Sequence, residues 1–349
     1  MDVAEIPLID AGPDGSAGLV RADLDGGRAL LEGALATHPA LPLAARIGDT
    51  LARRWLARGR NPYGDEIRRS AEMIGRPGVF FLNLVYEFAC TTGAGPDPKT
   101  AGMRMIRVLD WGLSGIGRHL VLARHETRHG PYYAAAWPGY AGVLTAMAPG
   151  RFAAAINQAP RPPVLGLDLV DAAIGPWRML RRPEALPATH LLRRVFEQAA
   201  DFAQARAMLA ESVSLAAPAI FTLSGVEAGQ CAVVEAFERE RRVTGPAADG
   251  HITVANAWLS PDLPGGPRAC RGAGELTPIE DSTARAAALG RLLSGPFAGA
   301  QDIAPPVLNR STVLVSVMNA RQGTLALEAL DPQGPGELPR VVARRLLAA

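Results

Sequence analysis

Two stretches near the N-terminus carry apolar residues at helical spacing. Residues 42–58 place apolar side chains three or four positions apart, which predicts an amphipathic helix. A second predicted helix begins at Tyr63, after the Asn61-Pro62 start signal, and ends at Ile74 before a Gly-Arg-Pro turn. The apolar segment Phe80–Ala89 fits either a buried strand or a helix, and periodicity does not decide between them.

The pattern of residue types along the chain changes at Cys90. Short runs rich in β-forming residues follow one another, and Gly, Pro or Asp separates them. Many short strands at this spacing predict antiparallel sheet rather than alternating strands and helices. The predicted strands are Cys90–Ala94, Met103–Trp111, His119–Glu126, Tyr132–Trp137, Ala141–Met147 and Phe152–Asn157.

The C-terminal half alternates between helical and strand patterns. We expect one long helix over Ala188–Glu211 and a shorter one over Thr283–Leu293. The remaining predicted strands are Ala219–Leu223, Cys231–Phe237, Arg241–Thr244, Thr312–Met318 and Thr324–Leu330. Helices, a run of strands, helices and strands again predict an α+β fold in which helices cover the sheet faces.

Composition excludes several classes of partner. The 349 residues carry 36 basic and 34 acidic side chains, so the net charge is only +2, and aromatic residues make up 5%. A concentrated positive field, which nucleic acid or an anionic membrane requires, is not expected. The sequence has no signal-peptide pattern and no apolar run of the roughly 20 residues that a membrane span needs. We therefore expect a soluble cytoplasmic protein without stable membrane insertion.

A literal HExxH motif occurs at residues 125–129, with His125 and His129 as the two histidines. In zinc hydrolases this motif lies on a helix, which turns both imidazoles towards one metal. Here the preceding residues read as a strand and Gly130-Pro131 follows at once, so a polar turn between two strands is the favoured interpretation. A zinc hydrolase remains an alternative. The three cysteines lack CxxC spacing, which argues against a disulfide framework or a cysteine-rich zinc site.

Cys90 is the most promising candidate nucleophile. A lone cysteine after an apolar run is usually a buried small hydrophobe, but several polar residues follow it in a suggestive order. The strand after Cys90 carries a cation and a carboxylate three positions apart, and amides end two later strands. The candidate residues are Arg107, Asp110, Asn157, Gln158, Asn256 and Arg285. Histidine is missing from this set, so the base for the thiol must come from elsewhere.

These residues resemble the cysteine amidohydrolases with an N-terminal nucleophile, a family that includes choloylglycine hydrolase, penicillin V acylase, acid ceramidase and N-acylethanolamine acid amidase. Cys90-Thr91-Thr92 is similar to the family's C-T-S/T start, and Arg107–Trp111 to its R-x-(L/M)-D-(W/Y/F) strand. The segment 137–152, WPGYAGVLTAMAPGRF, resembles a motif of the ceramidase branch. Val254-Ala255-Asn256 and the S-x-x-R of residues 282–285 complete a collinear set.

The resemblance implies a four-layer αββα sandwich. It divides the chain into a helical leader, residues 1–89, and a catalytic domain, residues 90–349. The bond between Ala89 and Cys90 is expected to break, which gives the cysteine a free α-amine that serves as its base. The two fragments are expected to remain associated.

The resemblance also assigns a role to each polar residue. Asp110 holds the new ammonium, Arg107 favours the thiolate, and Arg285 supports the reacting cysteine. Asn256, with a backbone N–H near Asn157 and Gln158, stabilises the oxyanion.

The expected substrate is a small N-acyl amide with an apolar acyl group, and no metal or organic cofactor is implied. Two positions depart from the ceramidase branch, and both concern the substrate. Asn256 is followed by Ala-Trp where the branch has Tyr-Asp, and Gln158 stands where a Glu is common. An acyltransferase of the same fold and a non-catalytic relative remain alternatives.

Overall fold

The computed structural model describes residues 3–36, 41–84, 88–113, 115–160, 184–212, 215–267, 276–332, 334 and 336–348. Within these residues the helices are α1 Ser16–Ala22, α2 Leu24–Ala36, α3 Leu41–Arg58, α4 Gly64–Ile74, α5 Val79–Leu82, α6 Ala188–Gln198, α7 Phe202–Ala210 and α8 Pro278–Leu293. In this part of the chain every helix is too short or too polar to cross a bilayer.

The strands form two sheets in the described part of the chain. The first has the order β1-β15-β14-β13-β4-β3-β12, and its strands are β1 Ala4–Glu5, β3 Phe88–Pro96, β4 Met103–Trp111, β12 Ile252–Val254, β13 Thr312–Asn319, β14 Thr324–Asp331 and β15 Arg340–Ala348. The second has the order β11-β10-β9-β8-β7-β6-β5-β2, and its strands are β2 Leu8–Asp10, β5 Val121–His125, β6 Tyr132–Ala136, β7 Thr145–Ala148, β8 Phe152–Gln158, β9 Ala219–Ser224, β10 Cys231–Phe237 and β11 Glu240–Thr244.

The two sheets pack face to face between helices. Strands β3 and β4 of the first sheet contact β8 and β9 of the second. Helix α8 covers the outer face of the first sheet, where Leu289 and Leu293 pack against Ile106 and Val108. Helices α6 and α7 lie on the outer face of the second sheet, against β8, β9 and β10. The expected αββα sandwich is confirmed, and its inter-sheet core holds the face of β3 that carries Cys90.

The described part of residues 1–89 contains helices α1 to α5 and also contributes a strand to each sheet. Strand β1 pairs in parallel with β15, and β2 pairs in parallel with β5. Helix α4 is joined to α6 by a buried ion pair between Glu66 and Arg193. The leader therefore belongs to the same folded body as the rest of the chain.

Several element predictions need correction. The single helix over 188–211 is wrong because the chain extends at Ala199 and Asp201 then caps a new helix, accepting a hydrogen bond from the Gln204 N–H at 2.8 Å. The apolar segment 80–89 divides into the end of α5 and the start of β3, and residues 85–87 lie outside the described residues. Helix α8 begins five residues before the predicted start, at Pro278, because Thr277 and Glu280 form a capping box.

Candidate active site

Cys90 lies on β3, the second strand from one edge of the first sheet, between β4 and β12. Alternation along the strand turns its side chain towards the second sheet. The thiol is fully buried there, with its Sγ 3.6 Å from the carbonyl oxygen of Ile156 on β8. The candidate nucleophile therefore sits between the sheets rather than on a surface loop.

Two polar side chains, those of Asn256 and Arg285, bond to the backbone of Cys90. Its N–H donates to Asn256 Oδ1 at 3.0 Å, and its carbonyl accepts from Arg285 Nη1 at 2.8 Å. Arg285 Nη2 also donates to Asn256 Oδ1, at 3.0 Å. Because a guanidinium only donates, this contact fixes which way the Asn256 amide faces. Asn256 therefore holds the N–H of the Ala89–Cys90 peptide, and Arg285 holds the carbonyl of the next one.

Arg107 approaches the thiol from β4, the neighbouring strand. Arg107 is paired across the two strands with Thr92, which lies two positions beyond Cys90 and therefore on the same face of the sheet. The guanidinium is completely buried and is satisfied by acceptors from both sheets. These acceptors are the Ile156 carbonyl at 2.9 Å, the Val108 carbonyl at 3.1 Å, Asn157 Oδ1 at 3.3 Å, Thr145 Oγ1 at 3.3 Å and Thr92 Oγ1 at 3.5 Å.

Asn157 and Gln158 end strand β8 and tie the second sheet to the segment after β12. Asn157 Nδ2 donates to the carbonyls of Val254 and Ala255 at 3.1 and 2.8 Å. The carbonyl of Gln158 accepts from Asn256 Nδ2 at 2.8 Å. An amide nitrogen carries two hydrogens, so this bond uses only one of them.

Asp110 lies on the other face of the first sheet from Arg107. It pairs with Ala89 across β3 and β4, and its Oδ1 accepts from Thr312 Oγ1 at 2.7 Å. Burial raises the pKa of this carboxyl, and the positive charge of Arg285 partly opposes the effect. Asp110 and Arg107 therefore flank Cys90 from opposite sides of one sheet.

The first turns of α8 supply the remaining contacts. Asp281 binds Arg285 Nε at 2.9 Å, and both side chains are fully buried. Ser282 Oγ accepts from the N–H groups of Asn256 and Ala257 at 2.9 and 2.8 Å. The helix thus holds both the arginine and the asparagine that contact the Cys90 backbone.

The electrostatic environment of Cys90 favours the neutral thiol. Burial raises the pKa of Cys90 to about 11, while the Arg107 guanidinium and the Gln158 N–H act in the opposite direction. The charge of Asp110 reinforces the increase. The thiol accordingly needs a nearby base before it can serve as a nucleophile at neutral pH.

The HExxH motif does not lie on a helix. His125 ends β5, where its ring stacks on that of Tyr132 with centroids 4.7 Å apart. His129 lies in the following turn and accepts from Arg128 Nε at 2.9 Å. In the described residues, groups of three or more His, Cys, Asp or Glu side chains suited to a metal are absent. The favoured interpretation of a turn between two strands is confirmed, and the helical zinc motif is wrong.

All seven predicted site residues meet in this region, although they come from four separate strands and loops and one helix. The sequence reasoning missed the supporting hydroxyls of Thr145 and Thr312, whose positions depend on strand register. The other described cysteine, Cys231, is buried near the Gly250 carbonyl, with its Sγ 3.6 Å from that oxygen. Cys270 lies outside the described residues.

Comparison with known proteins finds one curated relative of similar sequence. The probable acid ceramidase of Caenorhabditis elegans is 26% identical over 219 residues, which cover 56% of this chain and 53% of that protein. The chain thus spans about half the length of this curated relative. No protein-family model matches the chain.

Solved structures with a similar arrangement are also found. The N-acylethanolamine-hydrolyzing acid amidase ortholog of Caenorhabditis elegans has a TM-score of 0.49 and 17% identity, covering 66% of this chain and 93% of its own. A conjugated bile acid hydrolase from Clostridium perfringens has a TM-score of 0.42 and 10% identity, covering 74% and 92%. Penicillin V acylase from Agrobacterium tumefaciens has a TM-score of 0.38 and 14% identity, covering 69% and 83%.

Proposed function

We propose that this chain is a self-cleaving cysteine amidohydrolase that hydrolyses a linear, non-peptide amide with an apolar acyl group. The relative named as a probable acid ceramidase supports the reaction class. The observation that carries the proposal is the placement of the Cys90 N–H, which donates to Asn256 Oδ1 at 3.0 Å while Arg285 binds the adjacent carbonyl. Asn256 therefore already holds the nitrogen atom that cleavage would convert into an amine.

The need for a free amine follows from the surroundings of the thiol. Among the described residues, the groups that hydrogen-bond to Cys90 include no imidazole. They belong to Ile156, Asn256, Arg285, Arg107 and Gln158. An α-amine has a pKa of about 7.7–8.0, close to neutral pH, where a general base is most effective. Cleavage before Cys90 converts its amide into such an amine.

The cleavage itself requires only this chain and one water molecule. The Cys90 sulfur bonds to the Ala89 carbonyl carbon, the C–N bond breaks, and the thiol proton passes to the departing nitrogen. Water then adds to the thioester carbon and the C–S bond breaks. The products are a carboxyl group on Ala89 and a cysteine with both a free thiol and a free amine.

The same groups serve the amide substrate after cleavage. The α-amine of Cys90 takes the thiol proton, and Asp110 and Asn256 Oδ1 hold the ammonium that forms. The sulfur attacks the substrate carbonyl, whose oxyanion accepts from the Gln158 N–H and from the second hydrogen of Asn256 Nδ2. The ammonium then protonates the leaving amine, and water hydrolyses the acyl-enzyme.

An apolar cleft between Trp111 and the leader supports an apolar acyl group. Phe88 and Trp111 pair across β3 and β4 on the sheet face that carries Cys90. Trp111 also lines a small apolar cleft. The opposite wall comes from α2 of the leader, through Leu30 and Leu31. Every lining side chain is aliphatic or aromatic, which favours a hydrocarbon occupant over a polar one.

Intact-mass analysis of the purified protein tests the proposal. We expect two fragments that meet between Ala89 and Cys90, together with hydrolysis of an N-acyl amide substrate. Cys90→Ala should abolish both, whereas Cys231→Ala, the matched change at another buried cysteine, should preserve both. Hydrolysis by an unbroken chain, or by Cys90→Ala, would overturn the proposal.

A further inference from the structure

A buried carboxylate lies close to the candidate site, and within the described residues its hydrogen bonds go to a neighbouring loop. Glu235 is on β10, in a row across the second sheet with Ile220 of β9 and Asn157 of β8. It is completely buried. Neighbouring positions in adjacent strands share a face, so Glu235 points towards the inter-sheet layer that contains the candidate site.

Within the described part of the chain, the donors to Glu235 belong to one short segment, residues 256–260. Its Oε1 accepts from the Leu259 N–H at 2.5 Å. Its Oε2 accepts from the Ser260 N–H at 3.1 Å and from Ser260 Oγ at 2.5 Å. This segment follows β12 and begins with Asn256, the residue that contacts the Cys90 N–H.

The other end of the same segment is held from a different element. Ser282 on α8 accepts from the N–H groups of Asn256 and Ala257. Four backbone N–H groups within five residues therefore bond to side chains, two to a helix and two to a strand of the second sheet. Side-chain acceptors take the place of a strand partner in fixing the conformation of this segment.

Burial of a carboxylate is unfavourable unless hydrogen bonds or a counter-ion compensate for the lost water. Among the described residues, Glu235 has no recorded ion pair with an arginine or a lysine, and its recorded donors are those of the segment 256–260. The hydrogen bonds that compensate for the burial of Glu235 therefore all constrain the loop of residues 256–260. An apolar side chain at this position would leave two backbone N–H groups without acceptors.

We propose that Glu235 is a positioning residue for the proposed amide hydrolysis, acting through Asn256. By fixing residues 259 and 260 it determines where the chain leaves Asn256, and with it the distances of 3.0 Å to the Cys90 N–H and 2.8 Å to the Gln158 carbonyl. This inference rests on the proposed function. It concerns the precision of the site rather than its chemistry.

The test compares Glu235→Gln with wild type in the full chain, using the N-acyl amide that the wild type hydrolyses. The carboxamide has nearly the same shape but turns an NH2 group towards an N–H donor. Because small misplacements at an active site lower rates strongly, we expect kcat to fall about 10- to 100-fold. KM should change less than about threefold, since ground-state binding by the acyl group is untouched. Ser260→Ala, which removes one of the three donors to Glu235, should show a smaller fall in kcat.

Glu66→Gln is the matched control, because Glu66 is another buried carboxylate that bonds to Arg193 away from the candidate site. It should lower the melting temperature and keep kcat near that of the wild type. Folded Glu235→Gln with wild-type kcat would overturn the inference alone, as would a fall in kcat that Glu66→Gln reproduces at equal loss of stability. If Glu235→Gln does not fold, an unchanged kcat in Ser260→Ala would overturn it as well. Absence of hydrolysis by the wild type would overturn the proposed function, and this inference with it.

Discussion

Arg285 and Asp281 form an ion pair inside α8, with Nε 2.9 Å from Oδ2 and both side chains excluded from water. The same guanidinium reaches across to the Cys90 carbonyl and to Asn256 Oδ1. Asp281 therefore holds the arginine that holds the backbone of the candidate nucleophile. The pair links the stability of the fold to the geometry of the site.

Arg285→Met should destabilise the protein strongly. It leaves the Asp281 carboxylate buried without its cation, a change that typically costs about 3–5 kcal/mol. The double variant Asp281→Asn/Arg285→Met should recover part of that loss, because the uncompensated charge is gone. Denaturant titration measures both free energies of unfolding. Equal stabilities of Arg285→Met and wild type would contradict this account.

Much of the fold could be predicted from local pattern. The strands from Met103 to Gln158 are short, rich in β-forming residues and separated by Gly, Pro or Asp, so their order and approximate positions follow from the sequence. The strand predicted over Ala141–Met147 is shorter, at Thr145–Ala148. The break between α6 and α7 was missed because apolar residues keep a helical period across Asp201. The pairing of β1 with β15 could not be predicted either, since it joins residues near the two ends of the chain.

The candidate site divides in the same way. Cys90, Arg107 and Asn256 stand in collinear motifs, so their types and order could be recognised before any geometry was known. Glu235 has no such motif. Its importance depends on strand register and on the path of the segment 256–260, and both are set by packing between distant parts of the chain.

Gly15→Ala should destabilise the contact between the leader and the body. Gly15 has φ +56°, and a Cβ there would lie 2.0 Å from Glu66 Oε2 and 2.9 Å from Arg193 Nη2. We expect a loss of about 2–4 kcal/mol in unfolding free energy, because backbone strain adds to disruption of a buried pair. Gly12→Ala is the control, since Gly12 has φ +58° but open space around it. Gly12→Ala should lower the unfolding free energy by only about 1 kcal/mol, the cost of the backbone strain alone. Similar losses in thermal or denaturant unfolding would show that the ion pair is not involved.

His190 should make the protein sensitive to acid. Its imidazole is fully buried, and its Nδ1 lies 3.0 Å from Asn61 Nδ2, which donates to it. Burial, together with the charge of Arg193, lowers the pKa of His190 to about 3. In the unfolded chain the imidazole has a pKa near 6.5, so between about pH 6.5 and pH 3 it is protonated there but neutral in the folded protein. Stability from this group is complete above pH 6.5 and is lost as the pH falls towards 3.

His190→Asn should remove the part of the acid destabilisation that His190 causes. Between pH 7 and pH 4 the wild type should lose about 2–3 kcal/mol more unfolding free energy than the variant. Carboxylates elsewhere contribute equally to both proteins, so the difference isolates the histidine. The measurement is denaturant titration at several pH values. Parallel pH profiles of the two proteins would show that His190 titrates normally in the fold.

After cleavage before Cys90, the leader should stay bound to the catalytic part. Strands β1 and β2 are edge strands of different sheets, so the leader is joined to both by backbone hydrogen bonds as well as by the Glu66–Arg193 pair. Cleaved protein should elute as one species in native size-exclusion chromatography and separate into two fragments only in denaturant. A chain lacking residues 1–10 should release its leader more readily after cleavage, because both strand pairings are gone. Uncut Cys90→Ala protein provides the elution standard, and a leader that dissociates from the full-length cleaved protein under native conditions would refute the prediction.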